Sequence, residues 1–243
     1  MGFLGNTLSS YPKRLLIVLA VAAIVFTVMG FAEVGKDAFG SHRDFRNMTV
    51  SDFREGDIIN GTITETIGCA ATEETTEYAL QFIETDKYTS SYYYVIPFYE
   101  SVESVYPKKI FLYKTGNKKQ AQQLEKLLDE TIEWYSGNID APTTKVRIDR
   151  AEITGMTGEE RSAFYKYVDD FVDGLFYDRD AQTKEQVRLV YHTAMVPYLV
   201  TYNSGSGSIL LIIGLSMIGL FALVFIIFVI KNNSRSTSAA GTY

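Results

Sequence analysis

Two groups of carboxylates stand close enough along the chain to act together: Glu73, Glu74 and Glu77 in a polar run, and Asp169, Asp170 and Asp173 in a segment with helical spacing. Asp169 and Asp173 fall one helical turn apart, so they share a face and could hold a hard cation or do acid–base work. Val168, Phe171 and Val172 claim the buried side of that segment, which leaves the aspartates as a solvated face. Asp178-Arg179-Asp180 opens like a calcium loop but has Thr183 where a glycine belongs and Leu189 where the closing glutamate belongs. Cys69 is the only cysteine. One thiol builds neither an internal disulfide nor a multi-cysteine zinc site, and it reads first as a small buried side chain. His42 and His192 are the only histidines, too few for a histidine-rich metal centre. No nucleophile elbow, phosphate-binding loop, dinucleotide fingerprint or zinc-protease helix occurs. No catalytic residue, metal ligand or cofactor is assigned on this basis, and the balance leans away from an enzyme.

Tyrosine is the conspicuous excess, with 17 residues, and Tyr92, Tyr93, Tyr94 and Tyr99 crowd one segment. A phenol pairs a large apolar ring with a polar tip, which suits recognition of peptides, sugars or proteins. Tyr92, Tyr94 and Tyr99 form the candidate binding surface. Alternation sends Tyr93 to the opposite side, so one of the two faces is core.

The elements that position these residues are short strands interrupted by helices. Asp57–Gly68 alternates with Ile59, Ile63 and Ile67 on one face, and the polar Ala71–Thr76 reads as a turn. Glu77–Glu84, Tyr92–Tyr99 and Lys109–Lys114 read as three more strands, with Pro97 marking an edge or a bulge. Asn117–Ser136 changes to helical period through Ala121, Leu124, Leu128 and Thr131, and Gly137 stops it. After a strand at Lys145–Ile153, Thr157-Gly158-Glu159-Glu160 is a capping box for a helix that buries Phe164, Val168, Phe171, Val172 and Leu175. Val187–His192 and Met195–Tyr202 read as a closing pair of strands. The expected fold is α+β, a mostly antiparallel sheet with two packed helices, inserted between two transmembrane α-helices.

Those two helices are the uncharged runs 15–32 and 208–230, each long enough to cross a hydrocarbon core of about 30 Å. The expected order is a cytoplasmic tail at 1–14, a span at 15–32 and an extracytoplasmic domain at 33–202. A linker at 203–207, a span at 208–230 and a cytoplasmic tail at 231–243 follow. All 29 Asp and Glu lie in the central region. The 23 Lys and Arg, less Lys13, Arg14, Lys231 and Arg235 in the tails, leave 19 there, for a net charge of −10. Basic tails and an acidic centre fit a two-pass plasma-membrane protein with both ends inside. Gly30-Phe31-Ala32 also carries small residues at the positions of a signal-peptidase site, so a cleaved first segment stays open as a second reading. The acidic centre disfavours nucleic acid as a partner.

Ala20, Ala23, Thr27 and Gly30 follow 3-4-3 spacing along one face of the first apolar run, and Gly219 and Ala222 can share a face of the second. Small residues let helix backbones approach closely in lipid, through which the two helices would pack on each other or make a homo-oligomer.

The DIINGTITETIG and YYYVIPFYE strands and the QLEKLLDETIEWY helix, set between terminal membrane runs, resemble a family of two-helix membrane proteins, a domain of unknown function from Gram-positive bacteria. The resemblance covers most of the chain and implies a bacterial plasma membrane, with no activity or site residue to transfer. The expected function is a membrane-anchored extracytoplasmic interaction or sensory module, an accessory subunit of an envelope complex, with the lipid bilayer and a membrane or envelope protein as partners. The alternatives are an envelope enzyme using the acidic clusters or Cys69, and a structural membrane tether.

Overall fold

The computed structural model describes residues 17–32, 34–35, 42–79, 83–101, 104–202 and 206–239; side chains are described at these positions except 42, 76–79, 83–88, 206–208 and 228–239. The chain forms two compact units, Gly40–Asn203 and the paired termini Met1–Phe39 with Ser204–Tyr243.

The central unit is α+β. Its strands are β1 (His42–Asp44), β2 (Ile58–Ile63), β3 (Gly68–Ala79), β4 (Ile83–Phe98), β5 (Lys109–Thr115), β6 (Val146–Gly155) and β7 (Met195–Tyr202). They form one sheet in the order β1-β2-β6-β7-β5-β4-β3. The sheet is mixed rather than mostly antiparallel, because β1 runs parallel to β2 and β7 parallel to β5. Parallel neighbours need a long crossover. Between β5 and β7 it is made by α2 (Lys118–Tyr135), β6, α3 (Gly158–Leu175) and α4 (Ala181–Ala194).

The sheet is strongly curled. A flat sheet would put β2 and β3 about 24 Å apart at five strand spacings, yet residues 64–67 join them and span about 18 Å at full extension. Curling creates an inner face where Ile59, Ile63, Tyr94, Ile96, Phe111, Tyr113, Val146, Ile148, Val196 and Val200 close on Ala121, Leu124 and Leu127 of α2. The alternate residues Val95, Ile110, Leu112 and Leu199 pack outward against Phe164, Val168 and Val172 of α3 and Val187 and Tyr191 of α4.

Several expectations change here. Val187–His192 is helix, not strand: Val187, Tyr191 and Ala194 repeat at helical spacing on the buried face, and the Asp180 carboxylate caps the start by accepting from the Thr183 amide. Among its described residues the unit therefore packs three α-helices rather than two. Ala71–Thr76 is strand, not turn, because its residues, with three β-branched threonines among them, pair across to Lys87–Tyr93. Glu77–Glu84 divides between β3 and β4, with Ala79 opposite Ile83. Leu175 is 49% exposed rather than buried, since it lies in the last turn of α3, beyond the core stripe.

The terminal unit holds α1 (Ile17–Ala32) and α5 (Ser206–Ala239). Among the described residues one helix, Ile209–Ile227 within α5, is long and apolar enough to cross a membrane, with a mean hydropathy of 3.0 and 6% of that stretch buried. The expected pair of flanking spans is thus reduced to one: described α1 is apolar but provides about 24 Å of helix, and Leu15 and Leu16 lie outside the described residues.

Candidate functional site

A cleft of about 320 Å³ opens in the central unit, lined by side chains from five segments far apart in sequence. Glu65 enters from the β2–β3 link. That link is pinned, because the Ile67 amide and the Thr66 hydroxyl both donate to the Val95 carbonyl at 3.1 Å. The Tyr167 hydroxyl donates to the Ile67 carbonyl at 2.8 Å. Gly68 is required beside it: at φ +149° a Cβ would come within 1.6 Å of that hydroxyl. Trp134 and Tyr135 come from the last turn of α2, their rings tilted at 5.2 Å, and Gly137 at φ +76° ends the helix just past them. Tyr99 follows β4, Phe171 lies on α3, and Tyr191 is buried on α4, 6.2 Å from the Phe171 ring.

The polar groups of the cleft are already linked. The Tyr135 hydroxyl donates to Glu65 Oε2 at 3.1 Å, and the Ser101 and Ser104 hydroxyls, which also line the cleft, share a hydrogen bond at 3.1 Å. Burial raises the pKa of Glu65, with the Tyr135 hydrogen bond acting partly against it. Burial likewise lifts all three phenols well above their ordinary range, so they stay protonated donors. Among the described residues no lysine or arginine lines the cleft. An apolar, aromatic cavity with a few converging polar groups and displaced acidities has the form of a small-ligand site.

Of the three tyrosines singled out in the sequence, the fold brings only Tyr99 here. Tyr94 is fully buried, donating to Glu125 at 2.7 Å and to the Ala121 carbonyl at 3.2 Å, with Tyr92 stacked on it at 6.4 Å. That face of β4 is the inner core, so Tyr92 and Tyr94 do not form a binding surface with Tyr99. Glu65, Trp134, Tyr135, Phe171 and Tyr191 were not foreseen. The one available signal was the adjacent pair Trp134-Tyr135 at the end of an amphipathic helix, beyond what its apolar stripe requires.

The carboxylate clusters are taken up in ion pairs. Arg188 lies 3.2 Å from Asp169 and 2.7 Å from Asp173, and His192 Nε2 lies 2.8 Å from Asp169. Asp170 pairs with Lys166. Glu73 lies 3.0 Å from Lys114, whose ammonium sits 4.8 Å over the Tyr93 ring. The side chains of Glu77 and His42 lie outside the described residues. Among the described residues no three His, Cys, Asp or Glu side chains are grouped to hold a metal. Cys69 is half-buried, and burial pushes its thiol above its ordinary value, the reverse of what activates a cysteine.

A second buried ionisable group lies apart from the cleft. Lys109 has no exposed surface. Its ammonium donates to the carbonyls of Met48 at 2.5 Å and Arg46 at 3.2 Å and sits 4.3 Å over the Phe98 ring. Burial lowers its pKa to about 8.

In the terminal unit, α1 and α5 touch through small residues. A Cβ on Gly30 would lie 2.5 Å from the Leu211 amide, and one on Gly214 would lie 2.6 Å from the Thr27 amide. Ala23 is buried and Ala20 half-buried on the same side of α1. On α5 the contact runs through Gly214, whereas Gly219 and Ala222 are exposed and nothing approaches Gly219 within 4 Å. At about 100° per residue, Gly219 lies some 140° and Ala222 some 80° around the helix from Gly214, so neither shares its face.

No protein family matches the chain, and neither a curated protein nor a solved structure is significantly similar to it.

Proposed function

We propose that the protein is a membrane-anchored recognition module that takes up its ligand in the aromatic cleft. In this reading α5 crosses the plasma membrane with α1 packed beside it. The acidic unit Gly40–Asn203 stands outside the cytoplasm, and both tails lie inside. The protein works there as the interaction or sensory part of an envelope assembly, as a single copy or as a homo-oligomer. The observation that carries it is the convergence of Tyr99, Trp134, Tyr135 and Tyr191 on one carboxylate, Glu65, in an open cleft. Packing alone does not call for such a cleft. For membrane anchoring the support is an apolar stretch of α5 that stays 94% unburied, which suits lipid as its solvent. The positive tails favour the inside-facing ends.

Two measurements test it. In a Cys69→Ser background, Asp140→Cys should react with a membrane-impermeant maleimide on intact cells, and Ser236→Cys should react only after permeabilisation; the reverse pattern would overturn the orientation. Crosslinked partners of the full-length protein should survive exchange of both apolar helices for unrelated ones and be lost when Leu175, which lines the cleft from the last turn of α3, is enlarged to fill it in Leu175→Trp. A partner retained only by the native helices would move the function into the membrane.

A further inference from the structure

We infer that the cleft recognises an organic ammonium cation whose nitrogen is fully alkylated, a quaternary ammonium of the choline type. The inference rests on the reading of the cleft as a recognition site and concerns what it takes up. The rings of Tyr99, Trp134, Tyr135 and Phe171 line the space above the buried Tyr191, and aromatic ring faces carry negative charge density that attracts cations within about 6 Å. Glu65 adds a formal negative charge, and among the described residues no basic side chain lines the cleft to neutralise it. An anionic ligand would be repelled, and a hard metal ion would find a single carboxylate where it needs several oxygen ligands.

The hydrogen-bond inventory narrows the cation further. A primary ammonium carries three donors that must be met by acceptors when it leaves water. Here Tyr135 already donates to Glu65, and the Ser101 and Ser104 hydroxyls are bonded to each other, so part of the cleft's accepting capacity is engaged before a ligand arrives. A quaternary ammonium brings charge and methyl groups but no donors, and asks of its site what this one offers: ring faces, apolar walls and one counter-charge. The volume of about 320 Å³ suits a ligand of a few carbons around the nitrogen. The net charge of −10 on the central region, counted above, draws cations toward the unit.

Trp134 is the only tryptophan in the chain, so its fluorescence reports on the cleft directly. The full-length protein in maltoside detergent is titrated with choline, and in parallel with 3,3-dimethylbutan-1-ol, the neutral isostere with carbon in place of nitrogen. The expected result is a saturable change with choline, at least about tenfold weaker with the alcohol and about tenfold weaker in Glu65→Gln, whose melting curve should remain that of the wild type. Competition by glycerophosphocholine would identify a lipid headgroup as the source, and its failure would identify a free solute; either supports the ammonium assignment. Equal binding of choline and the alcohol would overturn it while leaving the cleft a recognition site. No response to choline, with partner capture still abolished by Leu175→Trp, would also overturn it and leave the broader reading standing. No response together with partner capture indifferent to Leu175→Trp would remove both.

Discussion

Lys109 and Glu65 are both ionisable groups drawn out of water, and the chain treats them in opposite ways. The Lys109 ammonium is closed off completely and meets two backbone carbonyls and the face of Phe98, all supplied from within. Glu65 is only half-buried, and it receives one phenol hydrogen bond in a cleft whose described residues include no basic side chain. The first arrangement is a clasp: it fastens the segment after β1 to the sheet, and the low dielectric strengthens its hydrogen bonds. The second leaves a charge whose balance is not met by the protein itself. A buried group with internal partners is evidence about folding, and one facing an open cavity without a counter-charge is evidence about a ligand.

Lys109→Ala should produce the largest effect, since it orphans the carbonyls of Met48 and Arg46 and leaves a cavity; a loss of about 3 kcal/mol is expected in denaturant unfolding. Survival of full stability would show that the clasp is dispensable. The pH profile gives the next effect. With its folded pKa at about 8, below the unfolded value of about 10.4, Lys109 binds fewer protons in the native state between those limits. Stability should therefore rise from pH 8 toward pH 10, by up to about 3 kcal/mol, and the rise should vanish in Lys109→Met. Buried tyrosines oppose this above their unfolded pKa of about 10, so the comparison of the two proteins below pH 10 is decisive.

Glu65→Gln should do far less to the fold. Because the folded pKa of Glu65 is raised, its ionisation weakens the native state as pH climbs through that value. The amide should therefore match or slightly exceed wild-type stability at pH 7; a marked loss would make Glu65 a second clasp and erase the contrast. The smallest effect belongs to Tyr135→Phe. Removing the hydrogen bond that lowers the Glu65 pKa should move it higher still, as followed by carboxyl-carbon NMR, with less than about 1 kcal/mol of stability change.

The sequence announced those elements whose signals are local. The α2 stripe through Ala121 and Leu124 appears where its period places it. The Thr157–Glu160 capping box forms with its two reciprocal hydrogen bonds at 2.8 and 3.2 Å. Pro97 lies past the last β3 partner at Val95, opposite Ile110 on β5, at an edge where no amide is needed. What stayed hidden depends on distant partners. The β-branched and aromatic residues of Val187–Tyr191 fit either period over so short a run, and only packing against Ile110 and Leu112 makes them helix. Parallel pairing of β5 with β7 leaves no mark in either strand. The cleft was illegible for the same reason: Tyr99, Phe171 and Tyr191 each satisfy a local pattern, and their convergence on Glu65 follows from a curl that no single segment encodes.

The position of β7 has a consequence for how the domain comes into being. It is the last of the sheet's described strands in chain order, yet it lies at the middle of the sheet, joined to β6 on one side and β5 on the other. Until Met195–Tyr202 arrives, β1-β2-β6 and β5-β4-β3 are two unconnected ribbons, each with an open inner edge able to recruit the wrong strand. The β3-β4-β5 meander, built from neighbours in sequence, can assemble early, but closure waits for a non-local, partly parallel insertion of the slow kind. A nascent chain therefore carries both inner edges open until Met195–Tyr202 has been made, and shielding them from wrong partners until that strand seals the sheet is work for chaperones.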